Sequence, residues 1–495
     1  MKYILAIDQG TTSTRAILFG ENGNAAAQCA RPHRQIYPEP GWVSHDAEEI
    51  FNNVVETVKG ALGQVRISPR DVLAIGITNQ RETAVLWDAR DGKPIGDAVV
   101  WQCRRTAEMC AKAEADGIAG AVRSKTGLLI DPYFSATKIK WMLENYPEAR
   151  RLARSGNLRA GTMDSFLIWK LTGGSAHVTD YTNASRTMLF NINSLEWDKD
   201  LLSYFNVEGS TLPEVVSCAE VCGYTDEMIF GARVPIAGVA GDQHAALFGQ
   251  ACFETGEVKN TYGTGCFILK NIGSAPIITD SRLLTTVAWH INGKACYAFE
   301  GSVFCAGAAL EWLMNDLKLA GGVDEINSIC ETTPDTCGAY FVPAFTGLGA
   351  PYWDMRARGI LCGLTLSANK NHVVRAVTES IAYGTRDVTD HMAEVSGIAP
   401  KKIKADGGVS RSDFLMQFQS DLLGIDVERP RFTETTACGV FYLAGLGAGL
   451  YGGLGEIVRL RETERLFTPS GNSAATDEKY SYWLKAVERS RSWTQ

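Results

Sequence analysis

A turn rich in hydroxyl groups follows the first apolar segment of the chain, and it offers the chemistry of a phosphate-binding loop. Residues 3–7 predict a buried strand, and residues 16–19 predict a second strand that pairs back beside it. Between them, Gly10 lets the backbone turn tightly and approach a ligand. The hydroxyl and N–H groups that can surround phosphate oxygens belong to Thr11, Thr12 and Ser13. Taken alone, the pattern also fits an ordinary hairpin with a polar tip.

Two charged residues flank this turn. The carboxylate of Asp8 stands at the end of the first predicted strand, where it can hold Mg²⁺ directly or through water. Arg15 can add a charged donor for the same phosphate group. The turn therefore favours a site for a phosphate group accompanied by a divalent cation.

A second turn of the same chemistry follows about 250 residues later, and it indicates an internal duplication. Residues 258–269 again predict a strand, a turn of glycine and threonine, and a strand, with Gly263 and Thr264 at the tip. Two similar domains would then face each other across a cleft, each with one phosphate-gripping hairpin. Chance similarity of two short turns is the alternative.

The rest of the chain alternates strand and helix patterns, which predicts an α/β protein. The strand at 72–77 ends in the polar residues 78–83, and open α/β sheets bind ligands at the carboxyl ends of their strands. Arg81 and Glu82 are therefore candidate ligand-binding residues. Further elements are predicted as helices at 46–62, 302–313 and 373–391 and as strands at 234–239 and 404–406.

Length and composition limit the classes of protein that fit. The 495 residues exceed a single core and predict two large domains, at 1–249 and 250–495. A net charge of -8 without a long basic run argues against nucleic acid as a partner. No apolar stretch reaches the ~18 residues that span a bilayer, and no basic and apolar leader precedes the first strand. We therefore expect no membrane insertion and a cytoplasmic location.

The 13 cysteines do not form a recognisable metal motif. No Cys-x-x-Cys pair occurs in the sequence, and the closest pair is Cys218 and Cys222. Their neighbours are mostly apolar, which is typical of reduced thiols in the core of a cytosolic protein.

Three motifs together resemble the nucleotide clamp of a known fold. The sequence has neither a P-loop nor a Gly-x-Gly-x-x-Gly after its first strand, so another kind of nucleotide site is needed. Residues 5–12 resemble the first phosphate motif of the actin/hexokinase/Hsp70-like ATPase fold, residues 236–243 its second phosphate motif, and residues 404–408 its adenosine motif. The resemblance implies an α/β fold of two ribonuclease H-like domains that face each other across a catalytic cleft.

Within that fold, the chain resembles the FGGY carbohydrate kinases. Residues 133–145 and 359–379 match two patterns of this family. Its members that phosphorylate glycerol are similar to this chain at residues 79–83, 101–105, 241–243 and 260–267. The resemblance implies phosphoryl transfer from ATP to glycerol with Mg²⁺. It leaves open a different FGGY kinase for a longer sugar or polyol, and an actin-like ATPase that phosphorylates nothing. We also expect a homo-oligomer, a dimer or a tetramer.

The residue types suit recognition of a short polyol. A triol offers only hydroxyl groups and C–H faces, so its site needs charged hydrogen-bonding partners and apolar walls. Arg81 and Glu82 are an adjacent donor and acceptor for neighbouring hydroxyl groups. The resemblance makes Asp242 the general base that accepts the proton of the attacking hydroxyl, and a metal ligand together with Asp8. It adds to the acceptor site Trp101, Tyr133, Gln243 and Phe267.

The resemblance also implies a set of nucleotide contacts. Two of the residues depart from the commonest family pattern, because Glu311 replaces a glutamine and Ser412 replaces an asparagine. Both can still accept a hydrogen bond, although Ser412 is shorter and has fewer donors. The full set is Thr11, Thr12, Ser13, Arg15, Gly263, Thr264, Gly307, Glu311, Gly408 and Ser412.

Overall fold

The computed structural model of this chain describes residues 2–471 and 473–494. These residues form two large mixed sheets, three sheets of two strands and one of four, with helices packed against them. The predicted α/β class is confirmed. None of the described helices is long and apolar enough to cross a lipid bilayer.

The strands are numbered in chain order. They are β1 Tyr3–Gln9, β2 Ser13–Gly20, β3 Ala25–Pro32, β4 Ser44–His45, β5 Val72–Asn79, β6 Ala84–Asp88, β7 Ala98–Val99, β8 Leu158–Thr162, β9 Val178–Asp180, β10 Phe190–Asn191, β11 Glu196–Trp197, β12 Glu214–Val216, β13 Gly223–Tyr224, β14 Pro235–Gly241, β15 Glu257–Tyr262, β16 Cys266–Gly273, β17 Leu284–Ile291, β18 Lys294–Val303, β19 Tyr340–Val342, β20 Ile360–Cys362, β21 Lys402–Asp406, β22 Asp426–Pro430 and β23 Thr463–Phe467.

The α-helices are numbered in the same way. They are α1 Ala47–Val65, α2 Ala107–Ala115, α3 Ala119–Thr126, α4 Ser135–Asn145, α5 Pro147–Arg154, α6 Met163–Leu171, α7 Tyr181–Ala184, α8 Lys199–Phe205, α9 Glu227–Phe230, α10 Asp242–Gly249, α11 Gly307–Asn315, α12 Val323–Thr332, α13 Lys370–Ser396, α14 Asp413–Leu423, α15 Thr435–Gly447, α16 Leu454–Leu460 and α17 Ser473–Ser490.

The two large sheets share one topology around their hairpins. The strand order is β13-β14-β5-β1-β2-β3 in the first sheet and β17-β18-β16-β15-β21-β22-β23 in the second. In the first sheet β1 pairs antiparallel with β2 and parallel with β5, and in the second β15 pairs antiparallel with β16 and parallel with β21. Both predicted hairpins are therefore present, and the shared order supports an internal duplication.

Local sequence signals predicted helices at 46–62, 302–313 and 373–391, and each of these regions contains a helix, but the start of one was misplaced. The helix expected at 46–62 is α1, and the Asp46 side chain caps it by accepting the backbone N–H groups of Glu48 and Glu49. The helix expected from residue 302 begins only at Gly307. Residues 302 and 303 belong to β18 because they pair with β16, a contact between distant segments that helical periodicity does not encode.

Helix α15 belongs to the second half of the chain but packs on the first sheet and on α10. Its Gly439 contacts the backbone of α10 so closely that an added Cβ atom would lie 1.9 Å from the carbonyl oxygen of Ala245. The rings of Phe19 and Phe441 stack at a centroid distance of 4.7 Å in the same core. The two halves therefore share a hydrophobic core.

Replacement of Gly439 by alanine should destabilise the fold. The added methyl group cannot fit against the Ala245 carbonyl, and overpacking of this kind costs roughly 1–3 kcal/mol in the free energy of unfolding. Thermal or urea unfolding would measure the loss. Gly455→Ala is the matched control, because this glycine lies exposed in helix α16 with nothing within 4 Å of its added Cβ. Equal stability of the two variants would contradict the close packing.

Candidate active site

Arg81 and Glu82 follow the carboxyl end of β5, and both side chains are buried. Glu82 has a φ of 59°, a backbone conformation that costs free energy and persists only when surrounding contacts enforce it. Those contacts are hydrogen bonds to the Glu82 carbonyl oxygen from Ser135 Oγ at 3.0 Å and from Lys138 Nζ at 3.2 Å. Helix α4 therefore holds the turn that carries both residues.

The guanidinium of Arg81 is the centre of the site. Its Nε lies 3.1 Å from Oδ1 of Asp242, and its Nη2 donates to the hydroxyl oxygen of Tyr133 at 3.3 Å. Its Nη1 and Nη2 also donate to the Glu300 carboxylate at 2.5 and 3.2 Å. Gly241 makes room for this side chain, because an added Cβ atom would lie 2.6 Å from Arg81 Cγ.

Asp242 is the first residue of α10, directly after β14, which lies beside β5 in the first sheet. Its Oδ1 accepts the backbone N–H of Gln243 at 2.6 Å as well as the Arg81 contact. Burial raises the pKa of the Asp242 carboxyl above its ordinary value, and the charges of Arg81 and Lys259 partly oppose that rise. A raised pKa suits a general base, because proton transfer is most effective when the pKa of the base approaches the working pH.

Two of the three aromatic residues predicted for the acceptor site, Trp101 and Tyr133, lie together. The rings of Trp101 and Tyr133 meet edge to face at a centroid distance of 5.5 Å. Trp101 Nε1 also donates to Oγ1 of Thr11 at 3.0 Å, so an apolar wall of the acceptor site contacts the first phosphate hairpin directly. Burial raises the pKa of the Tyr133 hydroxyl, which therefore stays protonated and can donate a hydrogen bond.

Lys259 is a buried residue that the sequence reasoning missed. Its ammonium group donates to Oε1 of Gln243 at 2.5 Å and to the carbonyl oxygen of Phe267 at 3.4 Å, so it joins two of the predicted acceptor residues. Because an ammonium group only donates, the Gln243 carboxamide oxygen is occupied and its NH₂ group is left to face a ligand. The only sequence signal was a lysine inside an otherwise buried strand.

Arg186 and Glu300 were also missed. Arg186 is fully buried, and it donates to Glu82 Oε1 at 2.7 Å and to Glu300 Oε1 at 3.0 Å. The two guanidinium groups lower the pKa of the Glu300 carboxyl, which therefore stays ionised despite its burial. Neither residue lies in a motif, and only their burial beside Arg81 and Glu82 reveals them.

On the nucleotide side, the tip of the second hairpin meets the start of α11 and a glycine turn. The Gly307 N–H donates to the Gly263 carbonyl oxygen at 2.9 Å, and the Thr264 carbonyl accepts the Ala306 N–H at 2.8 Å. An added Cβ atom on Gly307 would lie 2.7 Å from the Gly263 oxygen. Gly408, in the turn after β21, has nothing within 4 Å of an added Cβ, so its surroundings are open.

The two residues that depart from the family pattern occupy different surroundings. Glu311 lines an open cavity of about 350 Å³ beside Trp312 and Phe345. Ser412 instead caps helix α14, because its Oγ accepts the Leu415 N–H at 3.2 Å. Ser412 is also buried, and part of the acceptor capacity of its hydroxyl is used by this cap.

The first hairpin keeps its hydroxyl groups accessible at the tip but pairs its arginine. The Gly10 N–H donates to the Ser13 carbonyl at 2.9 Å and closes the turn, and Thr12 is exposed. Arg15 forms an ion pair with Glu434, just before helix α15. A phosphate group at this tip would have to compete with the Glu434 carboxylate for Arg15.

Asp8 and Asp242 are the carboxylates that suit a cation. Burial raises the pKa of Asp8 to about 7; Arg15 opposes that rise, and the negative charges of Asp242 and Glu434 reinforce it. Mg²⁺ would relieve this repulsion, and it commonly binds through one or two carboxylates, water and substrate phosphates. The described residues contain no cluster of three or more His, Cys, Asp or Glu side chains able to hold a metal by themselves.

Gly241→Ala should weaken polyol binding without unfolding the protein. The new methyl group would displace the Arg81 side chain, and misplacement of a binding group by about 1 Å can cost on the order of 10²-fold in activity. Titration calorimetry with short polyols would measure the affinity. Gly63→Ala serves as a control, since an added Cβ there meets nothing within 4 Å. Unchanged affinity in Gly241→Ala would remove Arg81 from the acceptor site.

Two descriptions of one protein family match this chain. The FGGY family of carbohydrate kinases, N-terminal domain, matches residues 3–249, and the C-terminal domain of the same family matches residues 258–448. Together these matches cover most of the chain, and they include the candidate site residues of both halves.

Full-length relatives agree with the domain matches. The chain is 52% identical over 493 residues to glycerol kinase 2 of Thermotoga maritima, covering 100% of this chain and 99% of the relative. It is 53% identical over 493 residues to glycerol kinase of Treponema denticola, covering 99% of each.

Solved structures confirm the predicted actin-like fold of two α/β domains. Plasmodium falciparum glycerol kinase with ADP has a TM-score of 0.94 at 36% identity, covering 99% of this chain and 98% of that one. A ligand-bound xylulose kinase from Lactobacillus acidophilus has a TM-score of 0.88 at 23% identity, covering 99% and 98%. The second likeness concerns the fold alone.

Proposed function

This chain belongs to the FGGY family of carbohydrate kinases, and we propose that it transfers the γ-phosphoryl group of ATP to glycerol, forming sn-glycerol 3-phosphate. The observation that carries the proposal is the contact at 3.1 Å between the buried guanidinium of Arg81 and the partly exposed carboxylate of Asp242, in a chain similar over its whole length to glycerol kinases. The Arg81 guanidinium can bind a hydroxyl group while the Asp242 carboxylate accepts the proton of that hydroxyl.

The acceptor is bound by a small number of oriented polar groups. Arg81 and the Gln243 NH₂ group donate to glycerol oxygens, and the Glu82 carboxylate accepts from a glycerol hydroxyl. Trp101 and Phe267 cover the C–H faces, with Tyr133 at the edge of the Trp101 ring. Because Arg81, Glu82 and Gln243 are already held by hydrogen bonds, little reorganisation is needed when the triol binds.

Asp242 acts as the general base. An alcohol is a poor nucleophile at neutral pH, and a carboxylate that accepts its proton as the bond to phosphorus forms typically contributes ~10²–10⁴ in rate. Arg81 and the Gln243 N–H hold Oδ1, and no hydrogen bond to Oδ2 is present among the described residues. Oδ2 is therefore the oxygen that can receive the proton.

The donor lies between the two hairpins. The phosphates are bound by residues at both hairpin tips, which are Thr11, Thr12, Ser13, Gly263 and Thr264. The nucleoside is surrounded by Gly307, Glu311, Gly408 and Ser412. Arg15 also contacts the phosphates if it leaves Glu434. Mg²⁺, held near Asp8 and Asp242, would neutralise charge on the β- and γ-phosphates.

Domain organisation, cellular location and oligomeric state complete the proposal. We assign two domains, 1–249 and 250–495, with α15 returning to the first sheet. We place the enzyme in the cytoplasm, where ATP is available and where the 13 free cysteines would stay reduced. We also expect a homo-oligomer, and exposed apolar residues such as Leu364 and Leu366 are candidates for its interface.

Asp242→Asn should bind glycerol almost normally, and its kcat should be about 10²-fold or more below that of the parent enzyme. The amide keeps the size and most hydrogen bonds of the carboxylate but cannot take up the proton. Steady-state kinetics would give kcat, and calorimetry would give the glycerol affinity. A kcat within a few-fold of the parent enzyme would remove Asp242 from the role of base.

Glycerol should stimulate ATP consumption far above the background hydrolysis and should close the cleft. Closure aligns donor with acceptor and excludes water, which is smaller than glycerol and could otherwise take the phosphoryl group. Small-angle scattering should give a smaller radius of gyration with glycerol and a non-hydrolysable ATP analogue than for the free protein.

The same assay separates the alternative functions. ADP release with a panel of polyols and sugars would identify a longer substrate if one is preferred over glycerol. Hydrolysis as fast without glycerol as with it, combined with an unchanged radius of gyration, would instead favour an ATPase that phosphorylates nothing.

A further inference from the structure

Glu300 is a buried carboxylate that reaches the acceptor site from the second half of the chain. It lies on β18 in the second sheet, and only 5% of its side chain is exposed. Its two oxygens accept three N–H groups, at 2.5 and 3.2 Å from Arg81 and at 3.0 Å from Arg186. Both arginines belong to the first half of the chain.

The position of Glu300 decides how Arg81 can meet Asp242. A guanidinium group presents its N–H donors in a fixed planar fork. Because Glu300 occupies Nη1 and Nη2, Arg81 offers only Nε to Asp242, and that contact engages one oxygen, Oδ1. A guanidinium free of Glu300 would pair with both oxygens of the nearest carboxylate, which is the usual bidentate geometry. Both oxygens of Asp242 would then be occupied.

The charges around Glu300 make this alternative pairing strong. The cluster contains the buried side chains of Arg81, Arg186, Glu82 and Glu300, and the partly exposed carboxylate of Asp242 lies at its edge. Other polar groups face it from neighbouring elements, and they are Lys259, His244, Tyr133 and Asp8. Without the Glu300 charge, the two buried guanidinium groups would have only Glu82 and Asp242 as anionic partners. Since an unpaired buried charge is costly, both guanidinium groups would then pair with these two carboxylates.

We propose that Glu300 is a positioning residue that holds the Arg81 fork away from Asp242 and so keeps one oxygen of the base free for the acceptor hydroxyl. The inference rests on the proposed role of Asp242 as general base. Glu300 does not touch the reacting atoms in this scheme and acts only through Arg81. Because Glu300 comes from the second sheet, the position of Arg81 also depends on how the two halves of the chain pack.

Glu300→Gln tests the proposal with little change in side-chain size. The carboxamide accepts hydrogen bonds through one oxygen only, and its NH₂ group faces a guanidinium that also only donates. The bidentate contact with Arg81 is therefore lost, and the Arg81 side chain can move. We expect kcat/KM for glycerol to fall on the order of 10²-fold, with most of the loss in kcat. The KM for ATP should stay within about twofold, because Glu300 lies on the acceptor side. Parent-like kcat and glycerol KM would overturn the proposal.

A double-mutant cycle distinguishes action through Arg81 from a general structural effect. If Glu300 acts only through Arg81, adding Glu300→Gln to Arg81→Ala should lower kcat/KM by less than about threefold further. If the fold-losses in kcat/KM of the two single variants multiply in the double variant, Glu300 acts independently of Arg81, and the proposal is overturned. If Glu300→Gln does not fold, Glu300→Asp keeps the charge on a shorter arm. Its kcat should lie below that of the parent, and an unchanged kcat would count against the proposal.

Glu379→Gln is the matched control for burial and pairing. Glu379 lies on α13 with 2% of its side chain exposed and pairs with Arg375 at 2.7 Å, outside the candidate site. We expect a lower unfolding temperature with unchanged kinetic constants. Asp242→Asn is measured in parallel to separate the two hypotheses. Parent-like turnover in Asp242→Asn would refute the general base itself, whereas an inactive Asp242→Asn beside a parent-like Glu300→Gln would refute only the positioning role.

Discussion

The acceptor site depends on the pairing of charges that have been removed from water. Arg81, Arg186, Glu82 and Glu300 are all buried, and each has at least one ionic partner within the same cluster. Such clusters contribute little net stability, because desolvation offsets most of the Coulombic attraction. Their value here is geometric. A guanidinium group held by several oxygens has one orientation, and a ligand that binds to it does not have to order it first.

The same network ties the acceptor site to the packing between the two halves. Arg81 is held by a carboxylate from the second sheet, and Gln243 is held by Lys259 from the same sheet. Asp242 stands at the start of α10, whose position is set by α15 through backbone contact at Gly439. Asp242, Arg81 and Gln243 are thus each fixed by a contact between the halves. Domain movement in such an arrangement would act directly on these three side chains.

The two hairpins repeat one topology with different chemistry at their tips. The first tip carries the hydroxyl groups next to Asp8, and the second carries glycines that approach the start of α11 within hydrogen-bond distance. The contact from Trp101 to Thr11 joins the first hairpin to a wall of the acceptor site. The proposed donor and acceptor sites are therefore joined by a direct hydrogen bond, which would help to place the phosphoryl group relative to the hydroxyl that attacks it.

The sequence by itself determined the elements whose signals are local. Apolar segments around Gly/Thr turns predicted both hairpins, and Arg81 and Glu82 were recognisable as polar groups after a buried strand. Asp242 was recognised through its place in a motif that resembles the family. The tertiary structure alone decided the partners of these groups. Arg81 pairs with Glu300, 219 positions away, Arg15 pairs with Glu434, and Lys259 holds Gln243. A charged or polar group pairs with a partner that lies near it in space, and the fold, not sequence distance, sets which partner that is; for the buried charge of Arg81 an absent partner would be costly.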